Sequence, residues 1–93
     1  MRNQSFRVAD VFSDHMVLQR DKEILIWGSG ENGLEVCVEL AGYVRSCIAD
    51  GGRWIVRLPP FSTGGPYEMT IKSSTAELTL KDVFVGEVWL AGG

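Results

Sequence analysis

The chain has 93 residues, 45% apolar and 23% charged, and nine basic against twelve acidic side chains leave a net charge of −3. That length holds one domain, or one and a fragment, with a modest core burying roughly two thirds of the unfolded surface. Charges of both signs are scattered, so there is no basic stripe for nucleic acid and no polybasic patch for a membrane, and no run approaches the ~18 apolar residues of a membrane helix. Met1-Arg2-Asn3-Gln4-Ser5 lacks a hydrophobic leader core. The chain is therefore cytoplasmic as written, or periplasmic or secreted if a signal peptide was removed.

Eleven glycines among short alternating runs predict an all-β meander or sandwich. Phe6 and Val8 open the chain on one face, and Met16–Gln19 and Glu23–Trp27 follow, separated by the polar corner Arg20-Asp21-Lys22. Leu34, Val36, Val38 and Leu40 then alternate with Glu35, Cys37 and Glu39, the clearest strand pattern in the chain. Asp50-Gly51-Gly52 signals a hairpin. Trp54, Val56 and Leu58 oppose Arg53 and Arg57, although Ile55 interrupts the polar face. Pro59-Pro60 ends that strand, because proline cannot donate to a ladder. Gly64-Gly65-Pro66 leads into Tyr67, Met69 and Ile71, and Ala76, Leu78 and Leu80 complete another one-sided run. No segment has a helical period. Residues 6–82 read as an antiparallel β-sandwich, immunoglobulin-like or jelly-roll-like.

At Asp82 the pattern changes. From Val83 to Leu90 only Gly86 and Glu87 interrupt an apolar run, which then meets Ala91-Gly92-Gly93. Near-continuous apolarity is the pattern of a strand buried on both faces of a helix-flanked parallel sheet. Ligands and nucleophiles gather at the carboxyl end of such strands. Residues 83–93 are accordingly read as the first strand of a second, α/β domain whose remainder is missing. The other reading of the same run is a central sandwich strand. Without neighbours, the apolar stretch 83–90 invites self-association.

Candidate chemistry is sparse. His15 beside Asp14 is the only pair resembling a base and its orienter. Adjacent residues in extended chain point to opposite faces, so Asp14 is badly placed to orient its neighbour, and Ser13 is no better placed as a nucleophile. A polar corner fixed by side-chain bonds to backbone amides is the plainer reading, and a loop docking against another domain is the more informative one. No catalytic residue, cofactor or metal is assigned to the chain. Cys37 and Cys47 flank Ala41-Gly42. A two-residue turn sets Cys47 opposite Val36 and forbids a bridge, whereas a three-residue loop sets Cys47 opposite Cys37. Turn statistics favour the first and packing the second, and free thiols are the expectation. Trp27, Trp54 and Trp89 are each expected in the core, with Trp27 the best placed of the three for partial exposure.

Five motifs occur in order: Asp14-His15-Met16-Val17-Leu18-Gln19-Arg20, Trp27-Gly28, Asp50-Gly51-Gly52-Arg53-Trp54, Gly64-Gly65-Pro66-Tyr67 and Gly86-Glu87-Val88-Trp89-Leu90. Together they resemble the amino-terminal region of bacterial sialate O-acetylesterases and related carbohydrate esterases, over residues 11–93. In that family the last motif leads into a Gly-Gln-Ser-Asn segment carrying the nucleophilic serine. The resemblance aligns its glycine with Gly93 and places the serine just past it. It implies a non-catalytic amino-terminal sandwich of a carbohydrate O-acetylesterase, packing on a missing carboxy-terminal serine esterase domain, an α/β hydrolase domain, that acts on an O-acetylated sugar. Asp14, His15, Trp89, Gly92 and Gly93 are the candidate interdomain contacts. The alternatives are an independent glycan-binding module and an immunoglobulin-like interaction domain, since sandwiches host all three.

Overall fold

The structure is a computed structural model that describes residues 6–74 and 76–87. Eight strands run β1 (Arg7–Val8), β2 (Val17–Gln19), β3 (Ile24–Ser29), β4 (Glu35–Leu40), β5 (Tyr43–Ile48), β6 (Arg53–Leu58), β7 (Gly64–Ser73) and β8 (Glu77–Gly86). They form a three-stranded sheet in the order β1-β3-β6 and a five-stranded sheet in the order β2-β8-β7-β4-β5. All pairings are antiparallel except β2 with β8, which is parallel. The fold is the all-β sandwich that the alternation implies.

Alternation decides which side chains meet between the sheets. Ile24, Ile26, Trp54, Val56 and Leu58 point inward from the smaller sheet, and Val36, Val38, Leu40, Met69 and Ile71 from the larger. The Trp54 indole is fully packed and donates its N–H to the carbonyls of Arg7 at 3.2 Å and Ser29 at 3.1 Å. Phe6 stacks on it with ring centroids 5.7 Å apart. Gly28 makes this packing possible. A Cβ there would lie 2.7 Å from Trp54 Cζ2 and closer still to the Arg7 carbonyl, so only glycine lets β1 close over the indole.

The turn between β4 and β5 is the two-residue form, with Ala41 at φ 51° and Gly42 at φ 88°. Both positive values match a type I′ hairpin, whose twist suits the flanking strands. Leu40 therefore pairs with Tyr43, Val36 with Cys47 and Cys37 with Ser46, and both cysteines are free thiols. Burial pushes the Cys47 thiol up, partly offset by a hydrogen bond with the Ile55 backbone. Two inward expectations do not hold, because three strands cannot cover five. Leu78, near the start of β8, is 39% exposed, and Ala76, just before that strand, is exposed.

The change of pattern at Asp82 has a local cause. Strand β8 continues through it, pairing Leu80 with Met69 and Val83 with Tyr67. Three steps along β8 thus oppose two along β7, so β8 carries one extra residue, a β-bulge, where Asp82 adopts φ 55°. The bulge reverses the phase of alternation. Without it Asp82 and Phe84 would face the core; with it Val83 and Val85 do, at 0% and 2% exposure, while Phe84 turns outward at 41%. Residues 83–86 are thus part of the sandwich, and the boundary drawn after residue 82 falls inside a strand. Two-sided apolarity there reflects a buried valine pair on one face and an outward phenylalanine on the other. The remainder of the expected terminal strand, including Trp89, Gly92 and Gly93, lies outside the described residues.

Val83→Ala or Val85→Ala should cost about 2 kcal/mol, while Phe84→Ser should cost less than about 1 kcal/mol, measured by urea unfolding. Truncation after Asp82 removes both valines and the partner of β2, and should abolish cooperative unfolding in circular dichroism. Gly28→Ala should displace β1 from Trp54 and lower the thermal midpoint by several degrees, with a red shift of tryptophan emission as the read-out.

Candidate functional site

The polar loop before β2 is built onto the bulge of β8. His15 has φ 67°, a left-handed conformation uncommon outside glycine and asparagine. That twist breaks the rule that neighbours in extended chain diverge, and brings both Asp14 and His15 to the same strand. Asp14 Oδ1 accepts the Lys81 backbone N–H at 2.8 Å. The His15 backbone N–H returns to the Lys81 carbonyl at 2.8 Å, and His15 Nδ1 lies 3.1 Å from Asp82 Oδ2. The Lys81 amide and carbonyl, next to the bulge, are both satisfied by the loop.

A histidine–carboxylate pair is the base-and-orienter half of a nucleophile-activating triad. In this case the imidazole is 74% exposed and its carboxylate 52% exposed, in open solvent. Such a pair contributes little to stability. The partner of His15 is Asp82 and not its neighbour Asp14; the poor placement of Asp14 was legible in the sequence, the role of Asp82 was not singled out. The signal was present: Lys81-Asp82, two consecutive polar residues between inward Leu80 and Val83, is the mark of an extra residue in an alternating strand.

From His15 the chain zips along β8. Phe84 donates its N–H to the Met16 carbonyl at 3.0 Å, and Arg20 donates its N–H to the Gly86 carbonyl at 2.9 Å. Val17 pairs with Phe84, Leu18 with Val85 and Gln19 with Gly86. Arg20 then gathers Asp21 at 3.1 Å and Glu87 at 3.5 Å through Nε, and Thr63 at 3.3 Å through Nη1. On the outer face this leaves Val17, 48% exposed, beside Phe84. Two adjacent exposed apolar side chains are thus flanked by the Asp14–His15 loop.

Among the described residues no group of three or more histidine, cysteine, aspartate or glutamate side chains is placed to hold a metal ion. Trp54 is in the core as expected, but Trp27 is not: its indole is 42% exposed on the outer face of the smaller sheet, edge-on to Phe12 with centroids 4.7 Å apart. Register is the reason. Trp27 pairs with Ile55, the residue that broke the polar face of β6, and both point away from the other sheet.

No family model matches the chain. The sialate O-acetylesterases of Rattus norvegicus and Homo sapiens are 34% and 35% identical to it, over 95% of this chain and 18% and 19% of their own length. Among solved structures, a carbohydrate acetylesterase from Xanthomonas citri superposes with a TM-score of 0.87 at 35% identity, over 91% of this chain and 20% of that one. The chain thus spans about one fifth of the length of the relatives it matches. In sequence and in backbone alike, it matches the amino-terminal region of sialate O-acetylesterase-type carbohydrate esterases.

Proposed function

We propose that this chain is the non-catalytic amino-terminal β-sandwich of a carbohydrate O-acetylesterase, sialate esters being the substrate class its relatives' name indicates. The sandwich packs on a serine esterase domain that belongs to the other four fifths of such a protein. One observation carries the reading: nearly the whole chain aligns, in sequence and in backbone, with a small part of proteins named as acetylesterases. The placement of its polar groups supports the non-catalytic part. Asp14 is engaged by a backbone amide, and His15 by a carboxylate on an open surface.

In the complete protein the reaction is acyl transfer. A serine activated by histidine attacks the acetyl carbonyl, donors stabilise the oxyanion, and water then releases acetate. The sandwich supplies none of these groups. Its contribution is a rigid wall, with the Val17–Phe84 patch and the Asp14–His15 loop turned toward the esterase domain.

This chain alone should release no acetate or nitrophenolate above background from an O-acetylated sialic acid or nitrophenyl acetate. A full-length relative should lose turnover when the serine of its Gly-Gln-Ser-Asn segment is replaced by alanine. Turnover by the chain itself that falls in His15→Ala would overturn the assignment. Without its esterase domain the chain should self-associate through the patch and the following residues. Light scattering should show a concentration-dependent mass that Phe84→Ser returns toward the monomer.

A further inference from the structure

Trp27 is surplus to the packing of the sandwich, and the surface around it is shaped. A cleft of about 640 Å³ lies on its β6 side, lined by Trp27, Ile55, Ile48, Cys47, Asp50 and Arg53. A smaller cleft of about 300 Å³ shares Trp27 and Arg53 and adds Arg7, Asp10 and Ser29. The indole thus stands between two concavities. Phe12 packs against it from the side in an edge-on contact, which restricts its orientation before any ligand arrives. Preorganisation of this kind removes much of the ordering cost of binding.

We propose that the Trp27 surface binds a neutral pyranose ring of an oligosaccharide. The apolar C–H face of such a ring matches an indole face, and Ile55 and Ile48 extend the apolar floor. The rim carries one cation and one anion, Arg53 and Asp50, and among the described residues neither side chain has a partner. A sugar hydroxyl accepts from the guanidinium and donates to the carboxylate, so one ligand class satisfies both. An apolar protein face laid over the same cleft would bury the two unpaired charges, at a cost that disfavours it. The larger cleft falls within the usual size of a small-ligand pocket. The second cleft continues past the indole and also has polar groups of both signs, which suits a chain of sugars. This inference is independent of the esterase reading. It concerns a different face of the sandwich from the Val17–Phe84 patch, and loss of acetyl-ester turnover in a relative leaves it untouched.

The test is a titration of the ¹⁵N-labelled chain with methyl β-glucoside, cellotriose and chitotriose, with N-acetylneuraminic acid as the anionic comparator. The expected result is saturable shifts of the Trp27 indole N–H and of the Ile55, Arg53 and Ile48 amides, stronger for the trisaccharides than for the single ring. Trp27→Ala should weaken binding about tenfold while the chain stays folded, because a large part of the indole already faces solvent. Arg53→Gln, which touches no core contact, should weaken it several-fold and keeps the test open if Trp27→Ala misfolds. Absence of saturation with every neutral sugar would overturn the proposal. So would saturation with N-acetylneuraminic acid alone, shifts confined to another face, or unchanged binding in both variants.

Discussion

The extra residue in β8 is the constraint on which the larger sheet depends. A strand tolerates one phase of alternation, and a single insertion turns every later side chain to the opposite face. Asp82 makes that insertion, and the reversal puts Val83 and Val85 against the other sheet instead of Phe84. The loop at Asp14–His15 docks beside that insertion, through the Lys81 amide and carbonyl. Once the loop is fixed there, the following residues have one course open to them, along β8 in the parallel sense.

The same constraint explains the shape of the surface. The short β2 covers the far edge of β8 with only Val17–Gln19, so the last strand is paired on both sides yet keeps an outward apolar face at Val17 and Phe84. The smaller sheet shows a comparable economy. Three strands are enough to seal the centre of five, but Trp27 and Ile55 on its outer face have no layer above them. Two apolar surfaces are thus left on opposite sheets, each with its own polar rim.

Glycine and left-handed residues mark where the chain had no alternative. Gly28 is needed because the Trp54 indole and the Arg7 carbonyl occupy the space a methyl group would take. Ala41 and Gly42 close the β4–β5 hairpin in the form that fixes the register of both cysteines. His15 and Asp82 share the left-handed conformation and face each other across the loop–bulge contact.

The sequence by itself determined the layers. Alternation in residues 34–40, 53–58 and 67–71 is a direct consequence of the two-residue period of a strand with one dry face, and those strands formed with that face inward. The five ordered motifs were likewise readable, because they are carried by residue identity and need no coordinates. Pairing across distance was not readable. Whether Cys47 faced Val36 or Cys37 turned on one residue of loop, and whether residues 83–86 began a new domain or finished the sandwich turned on one residue of bulge. Alternation reports the face a side chain takes relative to its own strand, not the strand that covers that face. That choice belongs to the tertiary structure, which alone brought His15 to Asp82 and left Trp27 partly exposed on an outer face.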